Sequence, residues 1–128
     1  MSKEIIAPDT VHRATNYSHA VKVGNTIYVS GQVALDRDGR LVGKGDIEAQ
    51  AVQVFENLRA VLAAAGASLD DVVKLTTYAT HFSYRPKITE VRSRYFQQVP
   101  ASTFVVVTSL ADPDLLVEIE AIAVTDED

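Results

Sequence analysis

The stretch VPASTFVVVTSLADPDLLVEIEAIAV, Val99 to Val124, is the one whose reading organises the rest of the chain. Thr103 to Leu110 is rich in β-branched and aromatic residues, Ala111-Asp112-Pro113-Asp114 breaks the run, and Leu115 to Val124 resumes it. Apolar runs bounded by Asp and Pro predict two buried strands joined by a short polar turn. In the second strand the period of two places Leu115, Val117, Ile119, Ala121 and Ala123 on one face. Leu116, Glu118, Glu120, Ile122 and Val124 fall on the other, so two carboxylates interrupt an apolar face. Burying a carboxylate is costly unless it is paired, hydrogen-bonded or neutralised, so these two require partners or a cleft.

Upstream, Ala20 to Val23, Gly24-Asn25 and Thr26 to Ser30 predict a hairpin, because a Gly-Asn pair supplies the positive φ of a two-residue turn. Residues 1 to 16 read as an extended arm or a short edge strand. The strand after the hairpin continues to Leu35 or bulges at Gly31, and Asp36 to Arg40 is a second turn. Asp46 is a natural N-cap for a helix from Ile47 to about Ala65, stopped by Gly66. Its apolar residues Ile47, Ala51, Val54, Phe55, Leu58, Val61, Leu62 and Ala65 recur three and four apart, a stripe for a sheet face. Ser68 and Asp71 cap a short turn before a strand, Val72 to Tyr78. Pro86 fits the first turn of a second helix, Lys87 to Phe96, on which Glu90 and Arg94 form an exposed pair. The order is β-β-α-β-α-β-β, an α+β pattern in a single domain spanning residues 1–128.

The composition narrows the function classes. A net charge of −5, from 12 basic and 17 acidic residues, disfavours nucleic acid as a partner, since phosphate binding needs clustered Lys and Arg. No apolar run reaches a membrane span, the N-terminal residues contain no signal-peptide core, and a cytoplasmic location is the default expectation. Without cysteine there is no disulfide, thiolate nucleophile or Cys-based metal site; His12, His19 and His81 lack metal-ligand spacing. Two helices cover one face of such a sheet, yet the strands are apolar on both faces, as where Phe104 and Val106 alternate with Val105 and Val107. A homo-oligomer with its uncovered sheet faces turned inward follows.

Several segments carry a resemblance. Tyr17-Ser18-His19-Ala20-Val21, Val23 through Gln32, Gly45 through Gln50, Glu56-Asn57-Leu58, Ala64 through Lys74 and Val117 through Val124 closely resemble the RidA (YjgF) family, in order and over nearly the whole chain. The resemblance implies a chorismate-mutase-like fold and a homotrimer whose sheets form a central barrel, with a small-molecule cleft between subunits. Members of the RidA type hydrolyse enamines and imines such as 2-aminoacrylate to a keto acid and ammonia, with no metal or organic cofactor. Such chemistry requires a cation for the substrate carboxylate, backbone donors to position it and a carboxylate to orient or deprotonate water.

On that resemblance, Tyr17 is the cleft tyrosine, Ser30 and Gly31 line the cleft, and Glu120 holds the water; Glu118 is read as a structural partner or barrel-lining charge. The chain departs at Pro100-Ala101-Ser102-Thr103, where deaminating members read Pro-Ala-Arg-Ser and the arginine clamps the carboxylate. Ser102 offers one neutral hydroxyl instead of a charged fork, so a less anionic or differently shaped substrate is expected. Ser83 stands where those members usually carry a cleft asparagine, and the loop Gln97-Gln98-Val99 is several residues shorter than theirs. Arg85, just before the second helix, is a candidate to replace part of the anion site, against the plainer reading of a solvated loop arginine. His81 is a further residue that could face the cleft. A divergent hydrolase, whose turnover collapses in Glu120→Gln, competes with a non-catalytic ligand-binding or chaperone-like trimer. An endoribonuclease or translation inhibitor is the weakest alternative on charge.

Overall fold

The computed structural model describes residues 2–126. The chain runs β1 (Lys3–Ile6), β2 (Ala20–Val23), β3 (Thr26–Gln32), α1 (Ile47–Ala64), β4 (Val72–Ala79), α2 (Arg85–Ser93), β5 (Ala101–Val106) and β6 (Val117–Val124). The expected order thus gains one strand, because the N-terminal arm pairs antiparallel with β2 at the sheet edge. Gly24, at φ 58°, closes β2 and β3 into the expected hairpin with Val23 opposite Thr26. The six strands lie in the order β1-β2-β3-β6-β4-β5.

The two strands of the Val99–Val124 stretch both form, but they are not neighbours: β4 lies between them. β5 runs parallel to β4, with Leu75 opposite Ser102, because α2 returns the chain over the sheet before β5 begins. The expectation that both strands are buried is also corrected, since every residue of β5 except Phe104 is exposed. Alternation identifies a strand; the connection decides its neighbour and therefore its burial.

α1 follows its sequence signals closely. The Asp46 carboxylate accepts from the Ala49 N–H at 3.1 Å. At the other end Gly66, at φ 79°, lets its N–H reach the Ala63 carbonyl at 3.1 Å and that of Ala67 reach Leu62 at 2.9 Å, satisfying carbonyls the helix leaves open. Val54, Phe55, Leu58, Val61 and Leu62 are fully buried against Ile27, Leu75 and Ile119 of the sheet. α2 starts and stops earlier than expected, but Ile88, Val91 and Phe96 still pack into the core. Both helices cover one face. On the other, Ile5, Tyr28, Val105 and Val124 are exposed by 58, 52, 38 and 41%.

Candidate functional site

β3 is not regular where it passes β6: their register slips between Val29 and Gln32, leaving Ser30 and Gly31 in a bulge. Gly31 lies so close to Glu118 of β6 that a Cβ there would overlap the Glu118 carboxylate. The bulge and Glu118 open onto a cavity of about 550 Å³, which Tyr17, His12 and Arg13 also line. Burial, and secondarily the charge of Glu120, raise the Glu118 pKa above the ordinary carboxylate range. Burial, and then Glu118, likewise raise that of the Tyr17 phenol.

Behind the cavity runs a line of buried polar groups. The Tyr17 hydroxyl lies 3.3 Å from His12 Nε2, and burial followed by the neighbouring His19 lowers the His12 pKa, favouring neutral imidazole. His12 Nδ1 is buried without a partner among the described residues. His19 Nε2 donates to the His12 carbonyl at 2.7 Å, which leaves Nδ1 to accept from Gln32 Nε2 at 3.2 Å. The Ser30 hydroxyl donates to the Ser18 carbonyl at 2.6 Å, so it is oriented as an acceptor toward the cavity rather than activated as a nucleophile.

Glu120, the acid expected here, does not line this cavity. It stands one pleat further along β6, opposite Thr76, and its carboxylate accepts the Tyr78 hydroxyl. Residues two apart share a sheet face; the register sets Glu120 opposite the bulge, but it is the Glu118 side chain that lies against Gly31 and lines the cavity, while that of Glu120 turns to Tyr78. The residue read as a structural charge therefore occupies the place expected of the other.

Two side chains that the sequence reading passed over hold the cavity walls. Asn57, buried on α1, donates to the carbonyls of Val33 and Leu35, both at 2.9 Å. Gln50, also buried, donates to the Gly43 and Asp114 carbonyls at 3.1 and 2.9 Å and accepts from the Leu116 N–H at 2.8 Å. Both lie within the apolar stripe of the helix, and a polar amide in such a stripe is the available signal.

The remaining predicted residues gather elsewhere. Arg85 and Ser102 line a second cavity, about 360 Å³, between α2 and β5, together with Thr89, Arg92 and Phe104. The Arg85 guanidinium sits 5.2 Å from the Phe104 ring centroid, and Arg92 Nη1 donates to Ser102 Oγ at 3.2 Å. Ser83 lines neither cavity; its N–H and hydroxyl engage His81 Nδ1 at 3.0 and 2.8 Å, which also turns His81 to a capping role. Ser102 shares the helix-covered face with its β4 neighbour Leu75, whereas Glu118 shares the open face with Tyr78. Among the described residues no group of three His, Asp or Glu side chains is arranged to hold a metal.

The family model described as Endoribonuclease L-PSP matches residues 7–125. The chain belongs to the Rid/YjgF family. Among its Rid relatives, the 2-iminobutanoate/2-iminopropanoate deaminase of Dermatophagoides farinae is 40% identical over 109 residues, 84% of each chain. The 3-aminoacrylate deaminase RutC of Acinetobacter baylyi is 36% identical over 124 residues, 96% of this chain and 98% of its own. The crystal structure of RidA from an Antarctic Psychrobacter superposes with a TM-score of 0.90 at 40% identity, covering 95% of this chain and 99% of that one. The α+β architecture is thus the Rid architecture.

Proposed function

We propose that this protein is a Rid-type hydrolase that converts a small enamine or imine to a carbonyl compound and ammonia, with Glu118 as its acid–base group. The observation that carries this reading is the half-buried Glu118 carboxyl, its pKa raised, in one cavity with Tyr17, Ser30 and Gly31. A carboxyl that keeps its proton above the usual range is suited to giving that proton to an enamine carbon and then taking one from water. In the proposed sequence, a proton from Glu118 to the enamine carbon gives an iminium ion, water adds to the iminium carbon as its proton returns to the Glu118 carboxylate, and a proton then passes to nitrogen. The C–N bond then breaks as the carbonyl forms, so enamine plus water leaves as carbonyl compound plus ammonia. Tyr17, positioned by His12, donates to the substrate, and Ser30 accepts from it.

The names of the relatives support this reaction class, two of them being deaminases of imino or amino acrylate compounds. The acidic cavity and the net charge of −5 weigh against RNA as substrate. The working assembly in this proposal is a homotrimer that turns the exposed Tyr28, Val105 and Val124 inward, and sedimentation of the purified protein tests it. The reaction is tested by ammonia and pyruvate release from 2-aminoacrylate generated in situ. Release faster than the buffer reaction is expected; a ligand-binding protein without product, or no acceleration, would remove the hydrolase reading.

A further inference from the structure

Tyr17 stands on a segment that is neither helix nor strand, and few contacts fix it. Asn16 turns the chain at φ 67°, in the left-handed region, immediately before it. The Tyr17 side chain is half-exposed, and its hydroxyl has one partner among the described residues, His12 Nε2 at 3.3 Å. His12 itself is only 5% exposed. His19 Nε2 donates to its carbonyl at 2.7 Å, and the two rings pack edge-on with centroids 4.8 Å apart. His19 Nδ1 in turn accepts from Gln32 Nε2, which also donates to the Ser30 carbonyl at 3.1 Å. One buried chain thus ties His12 to the bulge that carries Ser30.

The unpartnered Nδ1 decides where the His12 proton sits. On Nδ1 the proton would be a buried donor with no acceptor among the described residues. On Nε2 it reaches the Tyr17 oxygen and leaves Nδ1 a bare acceptor, the less costly orphan. A phenol oxygen that accepts from Nε2 keeps its own hydrogen for the cavity. We propose that His12 works as a neutral imidazole protonated on Nε2, that this N–H fixes Tyr17 as a hydrogen-bond donor to the substrate, and that proton uptake by His12 switches the cleft off. This rests on the hydrolase reading of the Glu118 cavity and adds its control from the acid side. A second proton has to occupy Nδ1, so the ring must leave its place to find an acceptor, and Tyr17 is released.

The charges around His12 do not hold an imidazolium by contact. Glu118, Asp112 and Arg13 share the Glu118 cavity with it. Asp9, Asp38 and Arg37 face it from a neighbouring cavity of about 640 Å³, which His12 and Arg13 also line. Among the described residues none of these bonds to either ring nitrogen. Burial, and then His19, keep the His12 pKa below the ordinary imidazole value, so the neutral form prevails at neutral pH. Glu118 must hold its proton and His12 must not, so the acid limb of activity belongs to His12 and the alkaline limb to Glu118.

The test reads the ring first and the reaction second. Imidazole nitrogen chemical shifts of the full chain, with His12 assigned from His12→Gln, are expected to show the neutral Nε2–H form at neutral pH and a midpoint below that of free histidine. Tyr17→Phe, at a half-exposed position, moves the Nε2 resonance of His12 and not that of His19. In 2-aminoacrylate turnover the acid limb follows the His12 midpoint. His12→Phe and Tyr17→Phe are each expected to lower kcat about 10-fold, and the double variant falls no further, because each breaks the same hydrogen bond. His12→Gln, which offers Tyr17 an amide N–H and cannot titrate, recovers part of that loss and has no acid limb. An Nδ1–H tautomer, an imidazolium at neutral pH, losses that multiply in the double variant, or an acid limb unchanged in His12→Gln overturns the proposal. The neutral Nε2–H form without ammonia release in wild type would remove the hydrolase reading alone and leave the His12–Tyr17 pair standing.

Discussion

The cavity beside Glu118 is set into a bulged strand pair and braced from behind by buried His12, His19, Gln32, Gln50 and Asn57, whereas the cavity beside Arg92 lies under an edge strand that is almost wholly exposed. The first is acidic and fixed by hydrogen bonds to backbone; the second is cationic, with Arg92 held by one side-chain hydroxyl. The contrast teaches why the proposed reaction is placed in the first cavity. Proton transfer needs an acid placed to a fraction of an ångström, which a bulge and buried amides provide. The cationic pocket at the edge offers charge and reach without such fixing, since its guanidiniums rest on one hydroxyl and one ring.

If placement is what distinguishes the first cavity, Gly31→Ala is its most damaging small change. The added Cβ displaces the Glu118 carboxylate, and turnover of 2-aminoacrylate is expected to fall by about 100-fold. The bracing is tested by Asn57→Ala. Leaving the Val33 and Leu35 carbonyls without their donor is expected to lower unfolding free energy by about 1–3 kcal/mol, read as a lower urea midpoint. A subtler change sharpens the electrostatics. Glu120 is the second cause of the raised Glu118 pKa, so Glu120→Gln moves the pH limb governed by Glu118 downward, and burial still holds it above the ordinary range. The smallest effect is expected on the outer side of α2. Arg94→Ala breaks only exposed ion pairs and leaves both the urea midpoint and turnover unchanged within error.

Much of this fold is legible in the residues. Gly24-Asn25, Asp46 and Gly66 each mark a backbone event that local chemistry alone dictates, and all three occur where expected. The pairing of β5 with β4 was not legible, because alternation says nothing about neighbours and the βαβ connection through α2 decides it. Tyr17, Ser30 and Gly31, each expected in the cleft, line one cavity. The choice between Glu118 and Glu120 was not available from period, since both occupy one face and only the reach of each side chain, Glu118 to Gly31 and Glu120 to Tyr78, separates them. Arg92 was hidden for a related reason. Its meaning depends on Ser102, ten positions away, across a helix-to-strand gap that no local pattern spans.

The central claim is that Glu118, and not Glu120, carries the chemistry, and side-by-side kinetics of Glu118→Gln and Glu120→Gln test it most directly. The account predicts that Glu118→Gln lowers kcat/KM for 2-aminoacrylate by roughly 100- to 10,000-fold while Glu120→Gln keeps most of its turnover. Because the folded state holds the Glu118 proton more tightly than the unfolded chain, stability falls as pH rises through the window between its ordinary and raised pKa. Above that window Glu118→Gln is therefore expected to melt at a higher temperature than wild type. Collapse of activity in Glu120→Gln, with turnover intact in Glu118→Gln, would contradict the account.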